Sequence, residues 1–308
     1  MSNAATMSPP EVSPSLATTE VIFRKLLVAI DFGPQTSQVL KTAVAVAKSF
    51  RAEMLLVHAV CPVILGTGAE PVPADSYLIA LEAARTRMAD LVRREVALES
   101  IQHREIVEYA AAIELVGRKV HDERVDLVIA GSHGAHGMER LALGSVAETM
   151  LRHLNCPVLV VGPHAKSSVS PFRSVLLASS LRLAGLRAAQ YASGLAEKFH
   201  SKLTLLHVIE QVAGNDTIES ELSSHHAQKE LMRLLPADVN LYSKTQVRIG
   251  YGNPADTITL IAGETYASVI VCGVGENALL ADHALGSTLA QVIRKARCPV
   301  LCVRPHSA

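Results

Sequence analysis

The chain carries one pattern twice, and an internal repeat constrains architecture more than any single motif, because each copy must build the same supersecondary unit. Shifting the sequence by 149 residues lays Leu27 on Leu176, Ala29 on Ala178, Ala43 on Ala192, Ala47 on Ala196, Phe50 on Phe199, Leu56 on Leu205 and His58 on His207 without a gap. Shifting it by 142 lays Gly131 on Gly273, Gly144-Ser145 on Gly286-Ser287, Cys156-Pro-Val-Leu159 on Cys298-Pro-Val-Leu301 and Pro163-His164 on Pro305-His306, so the second copy is 7 residues shorter in its middle. A length of 308 residues is about twice a common domain size, and two copies account for it. The expected organisation is a flexible tail over 1–20, a first domain over 21–163, a linker of small and turn-forming residues over 164–171, and a second domain over 172–308.

Within the first copy, short apolar runs alternate with segments of helical period. Strands are predicted at Lys25–Asp31, Glu53–Val60, Arg104–Tyr109, Val125–Gly131 and Pro157–Val161, and helices at Thr36–Phe50, Ser76–Glu99, Ala112–Glu123 and Ser145–Leu154. Leu26-Leu-Val-Ala-Ile30 is continuously apolar, the mark of a strand buried on both faces of a parallel sheet. Each copy therefore predicts a five-stranded α/β unit. Right-handed crossovers wind such a unit doubly and leave a ligand crevice at the carboxyl ends of the strands.

Charge narrows the partners. Lys+Arg and Asp+Glu both number 29, the net charge is zero, and no basic block occurs, which argues against binding to nucleic acid or an anionic membrane. Small molecules or proteins are the expected partners. A hydrophobic share of 49% with 19% charged excludes a disordered chain, and 4% aromatic with no Trp implies an aliphatic interior. No run of eighteen apolar residues offers a membrane span, and the first twenty residues lack a signal-peptide core, so a cytoplasmic location is expected. Cys61, Cys156, Cys272, Cys298 and Cys302 are odd in number and form no Cys-x-x-Cys, which fits reduced thiols packing as small hydrophobes.

The segment with chemical content is Gly131-Ser-His-Gly134-Ala-His-Gly137-Met-Glu-Arg-Leu-Ala-Leu-Gly144-Ser145. It leaves a buried strand, crosses a glycine-rich loop and enters a helix. Gly131 and Gly134 permit close approach of a ligand, and the free amides of the helix N-terminus offer donors and a positive dipole end to phosphate. Turn glycines ahead of a helix capped by the box Ser145-x-x-Glu148 give the same pattern, and the residues alone leave both readings open. His133 and His136 have no carboxylate at metal-ligand spacing and are expected to face solvent. His58 and His207 are expected to pack at the ends of matching strands. Neither copy has a phosphate-loop Gly-x4-Gly-Lys or a Gly-x-Ser-x-Gly nucleophile elbow, so no catalytic residue is proposed.

The spacing Gly-x2-Gly-x9-Gly-Ser, followed by Asn155-Cys-Pro-Val-Leu-Val-Val161, closely resembles the universal stress protein family. The first strand ending in Asp31, Leu56-Val-His58 and the closing Cys-Pro-Val-Leu strand all fall where that family has them, and the resemblance covers nearly the whole chain, as two tandem copies. The resemblance implies two tandem flavodoxin-like, Rossmann-like domains, each with a five-stranded parallel sheet, and a regulator that binds ATP with Mg²⁺ in the family's ATP-binding branch. It places Ala29, Ile30, Asp31 and Ala59 around the adenosine, and Ala130, Gly131, Gly134, Gly144, Ser145 and Val146 around the phosphates. Ala59 stands where Val is usual. Asp31 could meet a ribose hydroxyl or a nucleotide-bound metal, or cap the helix beginning near Thr36.

The second copy departs further. Ser180 replaces the aspartate, and Glu276 stands where the second glycine belongs, putting a carboxylate against the phosphates at a cost of about 1 to 4 kcal/mol. One competent site, in the first domain, is expected. In the family's strand order the closing strands Pro157–Val161 and Pro299–Val303 lie at sheet edges, and they are expected to pair antiparallel into an intramolecular pseudo-dimer. A homodimer and an unidentified protein partner are further expectations. Two rival classes remain: a nucleotide-free interaction module, and an ATP-consuming enzyme of the α-hydrolase type, which Asp31-Phe-Gly-Pro-Gln-Thr-Ser37 does not resemble.

Overall fold

In a computed structural model the described residues are 20–61, 74–133, 143–210, 217–236, 244–275 and 288–305. The strands are β1 (Lys25–Ala29), β2 (Glu53–Val60), β3 (His103–Tyr109), β4 (Leu127–Gly131) and β5 (Val158–Val161), then β6 (Ser174–Ala178), β7 (Lys202–Ile209), β8 (Lys244–Tyr251), β9 (Val269–Gly273) and β10 (Val300–Val303). The helices are α1 (Thr36–Phe50), α2 (Ala74–Arg94), α3 (Ala112–Asp122), α4 (Ser145–His153), α5 (Leu183–Phe199), α6 (Thr217–Arg233), α7 (Pro254–Glu264) and α8 (Thr288–Lys295).

All ten strands form one sheet in the order β3-β2-β1-β4-β5-β10-β9-β6-β7-β8. Each half is a doubly wound parallel sheet. The halves meet where β5 and β10 pair antiparallel, Leu159 opposite Leu301 and Val160 opposite Val300. The expected seam is present, and it converts two apolar edges into the centre of the sheet.

The run of apolar residues in each strand feeds two cores. Leu26, Val28, Ile129, Leu159, Leu177 and Leu301 face α1, α2, α5 and α6, and Leu27, Val128, Val160, Leu176 and Val300 face α3, α4, α7 and α8. Both cores run across the seam. Four of the chain's five phenylalanines gather on the first face: Phe50, from the C-terminal end of α1, lies 4.8 Å from Phe23, 5.6 Å from Phe172 and 5.2 Å from Phe199.

The repeat extends to strained backbone. Phe32, Arg51 and Arg124 have φ of 56, 55 and 53, and Leu181, His200 and Tyr266, their counterparts under the 149 and 142 shifts, have 60, 50 and 49. These left-handed residues explain where prediction of the element ends failed. The strand expected to reach Asp31 stops at Ala29, since the chain must turn at Phe32, and the strand expected from Val125 starts at Leu127, after the turn at Arg124. The helix expected over Ser76–Glu99 ends at Arg94, because Glu95 leaves helical geometry (φ −97, ψ 78) before a 3-10 turn over Val96–Ser100. Among the described residues, no helix is long and apolar enough to cross a membrane.

Candidate functional site

In the first half, β1 lies between β2 and β4, with Val28 level with Leu56 and Ile129. That register brings the ends of all three strands to one crevice, so Ala29, Ile30, Asp31, Ala59, Ala130 and Gly131 converge from three distant stretches of sequence. Ile30 is a wall of this crevice and offers it no free polar group. Its side chain is buried, its N–H donates to Val57 O at 2.8 Å, and its carbonyl accepts from His58 Nδ1 at 2.7 Å. Ala130 is likewise buried. His58 therefore packs with one ring nitrogen satisfied, as His207 does against Ser179 O at 2.8 Å. Burial, then the nearby Arg87 charge, lowers the His58 pKa.

Asp31 Oδ1 accepts from Gly33 N at 2.8 Å and Thr36 Oγ1 at 3.0 Å. One oxygen thus stabilises the turn into α1, as the capping alternative anticipated.

The glycine loop is closed at its neck: Ser132 N–H donates to Val161 O at 3.0 Å and Gly144 N–H donates to Ser132 O at 2.8 Å. These bonds hold the start of α4 beside the end of β4. The capping box is not formed. Gly144 occupies the N-cap position with no side-chain bond to the helix, and Glu148 instead accepts from Arg152 at 2.6 Å, one turn along. The first-turn amides of α4, at Ser145 and Val146, consequently receive no side-chain cap, and both residues are exposed. Gly134 and His136 lie outside the described residues.

Sequence reasoning missed Gln35 and Ser132. A Cβ on Gly131 would come within 2.9 Å of Gln35 Oε1. Gln35 also bonds weakly to Ser132 Oγ and to His133 N–H, each at 3.4 Å, and Ser132 Oγ meets His133 Nδ1 at 2.9 Å. His133 does not point freely to solvent as expected: its Nε2 is buried, without a hydrogen-bond partner among the described residues. Arg87 of α2 was missed as well. It stacks on Phe32 at 4.5 Å, and Phe32 lies 4.4 Å from His58. Only packing reveals that contact, since α2 carries no motif.

The second crevice is built differently. Gly273 corresponds to Gly131 and Ala184 to Gln35, but α5 begins at Leu183, two residues before the position equivalent to Thr36. A Cβ on Gly273 would fall 2.1 Å from Ala184 O and 2.5 Å from its carbonyl carbon, so helix backbone covers the glycine where a side-chain tip covers it in the first half. Ser179 Oγ turns inward to accept from Leu181 N–H at 3.1 Å. Glu276, Gly286 and Ser287 lie outside the described residues.

Comparison with known proteins agrees with the repeat. The sequence model of the universal stress protein family matches residues 22–162 and again 171–304. A universal stress protein of Mycolicibacterium smegmatis is 25% identical over 290 residues, 91% of this chain and 97% of its own length. One from Bacillus subtilis is 30% identical over 155 residues, 46% of this chain and 99% of its own. The crystal structure of a universal stress protein from Archaeoglobus fulgidus shares the fold, with a TM-score of 0.66 over 93% of this chain and 98% of that one at 20% identity.

Proposed function

The chain belongs to the universal stress protein family, and from that premise we propose that its first half binds an adenine nucleotide, ATP with Mg²⁺, as the input of a regulatory protein. The observation that carries the reading is the uncapped α4 N-terminus clamped beside Gly131 by the Gly144–Ser132 bond, with the orphaned His133 Nε2 beside it. Backbone amides and a helix dipole suit a phosphate chain, and a buried imidazole nitrogen without a partner favours a ligand that supplies one. Asp31 keeps one oxygen in the described hydrogen bonds and leaves the other for a ribose hydroxyl or a nucleotide-bound Mg²⁺.

One site per chain is our reading, and the helix backbone over Gly273 supports it. Slow or absent turnover follows from the lack of a phosphate-loop lysine or a placed base, because phosphoryl transfer depends on positioned charge. In this reading the second half supports assembly and presents the nucleotide state to a protein partner.

Val146→Asp tests the site. Val146 is 40% exposed in the first turn of α4, where a carboxylate favours the helix but repels phosphate. Titration calorimetry of wild type with Mg-ATP should give one equivalent bound. The variant should bind at least tenfold more weakly, about 1.4 kcal/mol, with an undiminished melting temperature. Equal affinity would remove the proposed cradle, two equivalents would remove the asymmetry, and no binding by wild type would favour the nucleotide-free module. Turnover at about 1 s⁻¹ or faster would restore the enzyme reading.

A further inference from the structure

A second cavity, of about 510 Å³, lies where the two halves meet beneath the amino ends of β4 and β5. Its walls come from α3, from the residues leading into β4 and β5, and from α5 of the other half. It is separate from the crevice described above, which opens at the carboxyl ends of the first-half strands.

Three observations point to a ligand there. The first is Arg187. Its guanidinium is part-buried, donates to Arg304 O at 2.8 Å, hydrogen-bonds the Tyr191 side chain and lies 5.9 Å from the centre of that ring, and no carboxylate forms a salt bridge with it among the described residues. A guanidinium has five N–H donors in a planar fork that matches carboxylate and phosphate, and a half-buried one without a counter-ion lacks the partner it would ordinarily have. Asp126, the acid in the lining, accepts with Oδ2 from the amides of Arg24 and Lys25, at 2.7 and 2.9 Å, and keeps its negative charge at the cavity, so the ligand's anionic end belongs on the Arg187 side.

The second observation is Gly117, inside α3. Glycine is a poor helix former, and a Cβ there would meet no atom within 4 Å. No protein neighbour demands the missing side chain. What its absence preserves is open space in the cavity wall.

The third is asymmetry. At the positions related by the repeat, Gln38 stands for Arg187, Thr42 for Tyr191, Ser268 for Asp126 and Thr259 for Gly117. The corresponding place in the other half lacks these groups, so the fold does not require them.

We propose that this cavity is a binding site for a small organic anion, a carboxylate or phosphate monoester, whose charged end is held by Arg187 and whose apolar body lies against Tyr191, Val120 and Leu154. Its volume falls in the range of small-molecule sites, and its open, mixed lining, with His121, His153 and Asn155 beside the apolar residues, suits a small polar anion.

The test titrates the full chain calorimetrically with benzoate, phenyl phosphate and, as the uncharged control, benzyl alcohol. Saturable binding of at least one anion and none of the alcohol is expected, and the preferred anion identifies the class. Arg187→Gln should weaken binding tenfold or more. Gly117→Leu should block it by filling the cavity, with a melting temperature at or above wild type. The proposal is overturned if neither anion saturates, if the alcohol binds as well, or if either variant binds as wild type does. Should Arg187→Gln fail to fold, Gly117→Leu decides alone.

Discussion

The phenylalanine cluster makes the union of the two halves measurable. Phe50 and Phe199 close α1 and α5, occupy equivalent places in the repeat, and meet edge to face at 5.2 Å with an interplanar angle of 80°. Phe50 also faces Phe172 edge-on at 81°, and Lys198 Nζ sits 5.4 Å above its ring. Full burial of a phenylalanine makes truncation to alanine cost about 3 to 5 kcal/mol. Phe50 is only partly buried, so Phe50→Ala should cost about 2 to 4 kcal/mol once its aromatic contacts are included. Much of that loss is an interaction between halves. In a double-mutant cycle with Phe199→Ala, the coupling energy should be about 0.5 to 1.5 kcal/mol, the value of one aromatic pair beyond area burial. Urea unfolding followed by far-ultraviolet circular dichroism on the four proteins gives each term. Wild type should unfold in one transition, because both cores cross the seam. Additivity within about 0.3 kcal/mol, or two separate transitions with only one moved by Phe50→Ala, would refute the shared core.

Two further predictions follow from the same sheet. Val128 N–H donates to Pro157 O and Ser132 N–H to Val161 O, so the odd-numbered residues of β5 bond toward β4 and, by alternation, Val158 and Val160 bond toward β10. Val160→Pro should therefore break the seam and enlarge or aggregate the protein in size-exclusion chromatography, whereas Leu159→Pro attacks the β4 side; an unchanged elution volume and melting temperature for Val160→Pro would disprove the pairing. Burial pushes the Cys156, Cys272 and Cys298 thiols up to about 12 and that of Cys302 well above its ordinary value, while Cys61 is exposed. At pH 8 the three buried thiols, Cys272, Cys298 and Cys302, should stay unreactive, so an aromatic disulfide reagent should titrate Cys61 first, the part-buried Cys156 more slowly, and all five in denaturant; three or more fast thiols would contradict the burial.

Much of the fold was legible in the residues themselves. The repeat, the two-sided apolar strands and the glycine loop are patterns of short range, and short-range pattern reports which segment becomes a strand and which face is buried. Even the antiparallel seam could be anticipated once the family's strand order put the closing strands at sheet edges, since an apolar edge strand present in two copies has its own counterpart as the available cover. The candidate site was legible only in part. Ala29, Asp31, Ala59, Gly131 and Gly144 could be named from the resemblance to the family, and strand order brings the first four together at one crevice. The role of Ile30 as wall and the burial of His133 Nε2 could not, because both depend on what packs against them.

What the sequence determined by itself is the identity and order of the elements in two α/β units, though not their ends. Tertiary structure alone decided how groups of equal local promise were spent. Gly131 and Gly273 are the same residue in the same repeat position, yet a helix that starts two residues earlier lays backbone over one of them. Arg187, Asp126 and Gly117 become neighbours only when the halves join. Sequence encodes local geometry and burial, whereas the competition among partners for one donor or one cavity is settled by distances that exist only in the folded chain.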